Sequence, residues 1–148
     1  MAKTDFFKPN KIYISHALRE QLCDLATQDK THFGLVTVNI GESSFELNEY
    51  FDVGCRSGPV LHLYPDFSKL HRTKRYLEMI GKAPMVEFHT HIKSDTELHI
   101  KDIEKMKMLR RGYWIIGGNN GLAFYFFYHK PKQNTKNMMT LVTEKIEL

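Results

Sequence analysis

Met85-Val-Glu-Phe-His-Thr-His91 sets two imidazoles one residue apart on an apolar run, and Leu98-His-Ile-Lys-Asp102 follows shortly after. Successive side chains of a strand alternate between its two faces, so His89 and His91 point the same way if this run is extended. Residues three apart on a helix share a face, which joins His99 to Asp102 if the second stretch is helical. A strand with His-x-His beside a helix with His-x-x-Asp brings up to four ligand-type side chains to one point. Imidazole and carboxylate donors suit a zinc ion, which binds nitrogen, sulfur and oxygen in tetrahedral array. Two imidazoles in an apolar strand cost free energy unless both find partners, which weighs against a purely packing role for the pair. Glu87 precedes His89 by two residues and therefore shares its face. His16, His62, His71 and His129 have no partner at ligand spacing and are expected at the surface or in turns.

These side chains need elements to carry them. Ser15 is a good helix cap, and Leu18, Leu22 and Leu25 follow at helical spacing, which predicts a first helix over His16–Gln28. Gly34–Ile40 is rich in β-branched residues and reads as a strand; Phe45, Leu47, Glu49, Phe51 and Val53 alternate with polar residues in a second, antiparallel one. A loop over 54–59 and a short strand over Val60–Tyr64 come next. Asp66 caps a second helix with Phe67, Leu70, Leu77 and Ile80 inward, ended by Gly81. After the histidine strand a third helix should begin near Thr96 or Glu97. Its buried stripe is Ile103, Met106 and Leu109; Arg110 and Arg111 suit its C-terminal dipole, and Gly112 stops it. Tyr113–Gly118 and Leu122–Lys130 are strands joined by Asn119-Asn-Gly121, a tight-hairpin signal. Past a polar loop, Met139–Leu148 is a strand or short helix. The order predicts an α/β or α+β fold, a mixed sheet flanked by helices, in a single domain over residues 1–148.

With 148 residues, 42% hydrophobic and 26% charged, the chain is globular and long enough to bury a core. No apolar run reaches membrane-spanning length. Residues 1–11 contain Lys3, Asp5, Lys8 and Pro9 without an apolar segment, so no secretory signal is expected. Cys23 and Cys55 have no metal-type spacing and are too few for a disulfide framework, and cytoplasmic residence is the default. The formal charge of +4 has local sources: His71-Arg-Thr-Lys-Arg75, and Lys105, Lys107, Arg110 and Arg111. Such clusters are usually the solvated surface of helices; nucleic acid or an acidic protein is the alternative partner. The Phe124-Tyr-Phe-Phe-Tyr128 run has base-stacking character, but at strand period it reads as core. No deaminase, His-Glu-x-x-His, Gly-x-Ser-x-Gly or Walker pattern occurs.

His89-Thr-His91, seven residues, His99, two residues and Asp102 resembles the JAMM (MPN+) metalloprotease motif. That motif reads His-x-His, seven residues, Ser, two residues, Asp. The resemblance runs over roughly residues 12–130 and includes the helix before Gly34-Leu35, the hairpin, and the elements on either side of the histidine strand. It implies an MPN/JAB-like (cytidine-deaminase-like) sandwich and a zinc hydrolase cleaving peptide or isopeptide bonds, often those of ubiquitin-like conjugates. His89, His91 and Asp102 would be its three zinc ligands, with an activated water in the fourth position and a glutamate as general base.

Two positions depart from the pattern. His99 stands where the family has serine, and imidazole there either donates to an oxyanion or becomes a fourth ligand that closes the site. Thr31 stands where the family has its catalytic glutamate, three residues before Gly34, and a threonine hydroxyl is no base at neutral pH. His32 is adjacent but faces the other way along a strand. Glu87 is the substitute on the right face, as a relocated base or as a partner of a ligand histidine. The rival to a hydrolase with an atypical acid/base group is a non-catalytic MPN-type interaction module; a basic nucleic-acid-associated relative is the third reading.

Overall fold

Ser15 and Asp66 start two helices by the same device. Ser15 Oγ accepts the Leu18 N–H at 3.1 Å at the head of α1 (His16–Ala26), and Asp66 Oδ1 accepts the Lys69 N–H at 3.1 Å at the head of α2 (Phe67–Met79). Each bond satisfies a donor that the first helical turn leaves open. Helix α2 ends in a Schellman turn, with Gly81 at φ +76°. The Gly81 and Lys82 N–H groups donate to the Glu78 and Leu77 carbonyls.

The computed structural model describes residues 6–55, 64–132 and 138–148. Residues 60–63 of the strand expected over Val60–Tyr64, most of the loop before it, His62 and most of the polar loop after Lys130 lie outside these residues, as do Lys3 and Asp5. Among the described residues, β1 (Lys11–Ile14), β2 (Phe33–Ile40), β3 (Ser44–Asp52), β4 (Met85–Thr90), β5 (Arg111–Gly118), β6 (Gly121–Pro131) and β7 (Met139–Glu147) form one mixed sheet in the order β1-β3-β2-β4-β5-β6-β7. Neighbours β1 and β3 run parallel, as do β4 and β5; the others are antiparallel. Strand β1 has no counterpart in the sequence reading: it is four residues at a sheet edge, alternately exposed and half-buried, and its Ile12-Tyr-Ile14 is too short a run to stand out. The two-residue turn between Gly118 and Gly121 forms as expected, and the last segment is a strand, not a helix.

Helix α3 (Ile100–Met108) makes the crossover from β4 to the parallel β5. It begins later than the expected Thr96 or Glu97 because Thr96 is committed elsewhere: its N–H donates to Asn120 Oδ1 at 3.0 Å, and its carbonyl accepts the Tyr125 hydroxyl at 2.7 Å. The helix also ends earlier than expected. Arg110 and Arg111 lie beyond it, and Arg111 and Gly112 already belong to β5, so Gly112 is not the stop. Met106 is buried as expected, Ile103 is half-buried and Leu109 is exposed. On α2, Leu70 and Leu77 face inward, whereas Phe67 and Ile80 at its two ends are 41% and 46% exposed. They project beyond the middle turns that seat on Leu35 and Val53.

Strand alternation sorts the core into layers. Val36, Val38, Val86, Phe88, Ile115 and Phe124 turn one way and pack with Leu18 and Leu22 of α1. On the other face Leu35 meets Leu70 and Leu77 of α2, while Trp114, Ile116 and Phe127 meet Met106 of α3. The aromatic run of β6 is core, with Phe124, Tyr125, Phe126 and Phe127 all buried. The fold is mixed α+β, with helices on both faces of the sheet. No helix among the described residues is long and apolar enough to cross a membrane. Between α2 and α3 runs a seam over β4, and Glu87 and His89 look into it.

Candidate metal centre

Strand β4 directs Val86, Phe88 and Thr90 into protein and leaves Glu87 and His89 half-buried on the seam. His91 follows directly, its backbone N–H held by the Gly117 carbonyl of β5 at 2.8 Å, and its ring is buried. Asp102 is the third residue of α3, where its carboxylate reaches back to the cap: Oδ2 accepts the His99 backbone N–H at 2.8 Å. That is half of a capping box, and a negative charge in the first turn also suits the helix dipole. The same carboxylate then bridges the two imidazoles. His89 Nε2 lies 2.9 Å from Oδ1 and His91 Nε2 lies 3.0 Å from Oδ2. One ligand-type atom from each of the three residues falls within 4.8 Å of the others. The side chains of His89, His91 and Asp102 are only 15%, 5% and 11% exposed.

The electrostatics follow from that geometry. His91 Nδ1 donates to the Asp95 carbonyl at 2.8 Å, which turns Nε2 toward Asp102. Two atoms with lone pairs attract at 3.0 Å only when a proton or a cation lies between them. Burial lowers the His91 pKa, but the Asp102 hydrogen bond and the Asp95 carbonyl outweigh it and leave the ring above its ordinary value. For His89 burial dominates, so its pKa is lowered and the neutral ring donates Nε2–H to Oδ1. Burial pushes the Asp102 carboxyl up, yet the two imidazoles and the His99 N–H together hold it well below the usual carboxylate range. The donor set fits a divalent cation: two imidazole nitrogens and a carboxylate converge, with the far nitrogen of His91 anchored on a carbonyl, as metal-ligating histidines usually are.

Glu87 and His89 line one narrow cleft of about 10 Å³, bounded by Phe33, Leu70 of α2, and Lys105 and Trp114. That is room for about one water. The His89 ring lies edge-on to Trp114 at 5.7 Å and over Phe33 at 6.0 Å. Thr31 is buried just before β2; continuing the pairing of Phe33 with His89 sets it across from His91, on the ligand face. His32 turns to the opposite face, where its Nε2 meets Gln28 Oε1 of the chain after α1 at 2.8 Å. His99 stands outside the ligand cluster. Its exposed ring stacks on His91 with centroids 3.7 Å apart, and its Nε2 contacts Ser94 Oγ at 3.1 Å. Of the other histidines, His16 and His71 are exposed, while His129 departs from expectation: half-buried on β6, it donates Nε2–H to the Met106 carbonyl and ties β6 to α3.

Sequence reasoning missed the residues that hold the loop between His91 and His99. Asn119 N–H donates to the Ser94 carbonyl at 2.7 Å. Asn120 and Tyr125 grip Thr96, and Lys145 of β7 pairs with Glu97 at 2.6 Å. Burial raises the Tyr125 hydroxyl to about 12, which keeps it a donor at any physiological pH. Gly118 completes the latch, since a Cβ there would lie 2.6 Å from the Asp95 carbonyl carbon and 2.8 Å from Ser94 O. The Asn-Asn-Gly signal marked the hairpin, but nothing local marked its grip on a loop more than twenty residues earlier.

No protein-family model matches the chain, and no curated protein does. Among solved structures the chain is similar to the solution structure of protein DSY2949 from Desulfitobacterium hafniense, with a TM-score of 0.61 over 88% of this chain and 89% of that one. The two sequences are 12% identical, so the likeness is one of fold.

Proposed function

We propose that the chain is a divergent JAMM-type, MPN-like zinc hydrolase acting on a peptide or isopeptide bond, with His89, His91 and Asp102 as the metal ligands. The observation that carries this reading is the convergence of two imidazole nitrogens and a carboxylate within 4.8 Å, at the C-terminal end of β4. Ligand sites of α/β sheets gather at the carboxyl ends of parallel strands, and β4 with β5 is such a pair. Three protein ligands leave a position open, the pattern of catalytic rather than structural zinc. A zinc ion held there would supply Lewis acidity, acidifying water and polarising a carbonyl.

The remaining roles fall to this chain's own side chains. Glu87, in the cleft beside His89, is the carboxylate assigned to take a proton from water and return it to the leaving amine. His99, stacked on His91 and hydrogen-bonded to Ser94, is positioned to donate to a substrate oxygen at the rim. Thr31, opposite His91, contributes shape and a hydroxyl and is not a base. That substitution is the one observation favouring the second reading, a metal-holding MPN-type interaction module without turnover.

Metal analysis of purified protein should find about one zinc per chain, largely lost in His91→Ala. Protein free of metal even after zinc reconstitution would remove the hydrolase reading. Cleavage of a ubiquitin-like fusion should disappear with chelator and in Asp102→Ala, while Glu87→Gln should keep its zinc and lose turnover. Zinc binding with no cleavage of any peptide or isopeptide substrate would favour the interaction module.

A further inference from the structure

Away from the metal centre, at the C-terminal end of α3, the surface opens into a groove of about 1090 Å³. Its cations are Lys8, Lys107, Arg110 and Arg111, and its one carboxylate, Glu144, is spent on Lys8 at 2.7 Å. No carboxylate among the described residues pairs with Lys107, Arg110 or Arg111. The apolar part of the lining is equally unbalanced. Met108 is 87% exposed, Met139 56% and Leu109 39%. Helix capping explains Lys107, whose charge suits the end of α3, but not Arg110 and Arg111, which lie past the helix, nor the exposed methionines.

We infer that this groove is a docking surface for an acidic peptide segment carrying apolar side chains. Flexible methionines adapt to varied apolar partners, and arginine forks match carboxylates in pairs. A single-stranded nucleic acid satisfies the cations but needs open aromatic faces for its bases. The groove offers few: Phe6 is stacked on Phe126 at 4.9 Å with the Arg111 guanidinium over it, also at 4.9 Å, and Tyr128 is tilted against Phe126. The surface is independent of the ligand set, because Asp102 sits in the first turn of α3 and the groove begins at its last.

The test is fluorescence anisotropy with a labelled synthetic peptide of alternating Glu and Leu/Phe, run beside oligothymidylate of equal charge and a Lys-substituted version of the peptide. The acidic peptide should bind most tightly of the three. Reversing two exposed cations, Lys107→Glu with Arg110→Glu, should weaken it by roughly tenfold or more. Met108→Ser should weaken it at unchanged charge, and His91→Ala should leave it as it was. Tighter binding of oligothymidylate would assign the groove to nucleic acid and overturn the inference. Absence of peptide binding, or binding indifferent to the charge reversal, would also overturn it.

Discussion

Asp102 carries the most structural responsibility of any residue in the site. One carboxylate caps α3 through the His99 N–H and holds both imidazoles. Truncation to alanine leaves two largely buried imidazoles and a helix cap without their acceptor, so Asp102→Ala should destabilise the metal-free protein by about 3 kcal/mol, measured by urea unfolding. The two charged partners also give opposite pH signatures. Asp102 has a folded pKa below its unfolded value near 4, so its contribution is full above about pH 4 and is lost as pH falls below that. His91 has a folded pKa above its unfolded value near 6.5, so its contribution is full below about pH 6.5 and is lost as pH rises through the folded value. Metal-free stability should therefore fall on both sides of a maximum, with the acid limb flattened in Asp102→Asn; an unchanged acid limb in that variant would contradict the assignment. Much of this was legible in the chain. His-x-His on an apolar run gives a shared face, and the His99–Asp102 spacing put Asp102 on a helix, although His99 caps that helix and stays outside the ligand cluster. The orientation of His91 was not legible, because its anchor is a backbone carbonyl, and carbonyls have no sequence signature.

At the scale of elements, the geometry of the centre depends on how the loop from His91 to His99 is latched to the β5–β6 hairpin. Gly118 matters there for space and not for φ: any Cβ meets the backbone of Ser94 and Asp95. Gly118→Ala should push back the carbonyl that orients His91 and weaken zinc binding by roughly 10–100-fold, with every ligand intact. Competition against a chelating dye measures it, and wild-type affinity would show that the latch does not position the ligand. The same latch accounts for the misplaced start of α3. Residue spacing allowed a beginning near Thr96 or Glu97, but Asn120 of the β5–β6 turn and Tyr125 of β6 hold Thr96 in a loop, and both come later in the chain. Elements defined by their own residues were readable, as with the Ser15 and Asp66 caps. Those defined by distant partners were not: β1 exists as a strand because β3 lies beside it.

For the whole molecule, metal and fold should be thermodynamically linked. A ligand binding only the native state stabilises it by about 4 kcal/mol at a thousand times its Kd. For a chain of this length that is a rise of roughly 10 °C in Tm on saturation with zinc, absent in His91→Ala. The sandwich of helices about a mixed sheet could be anticipated from alternation and caps; its layering could not, since it depends on which strand lies beside which. The likeness to DSY2949 at 12% identity is one of arrangement, found in two chains whose side chains largely differ. The claim that three residues of this fold form a metal centre is tested most directly by X-ray absorption at the zinc edge on reconstituted protein. One zinc per chain is expected, with two imidazole nitrogens and a carboxylate oxygen at about 2.0–2.2 Å and a non-protein oxygen completing the set. A zinc retained unchanged in both His91→Ala and Asp102→Ala, or no bound zinc at all, would contradict it.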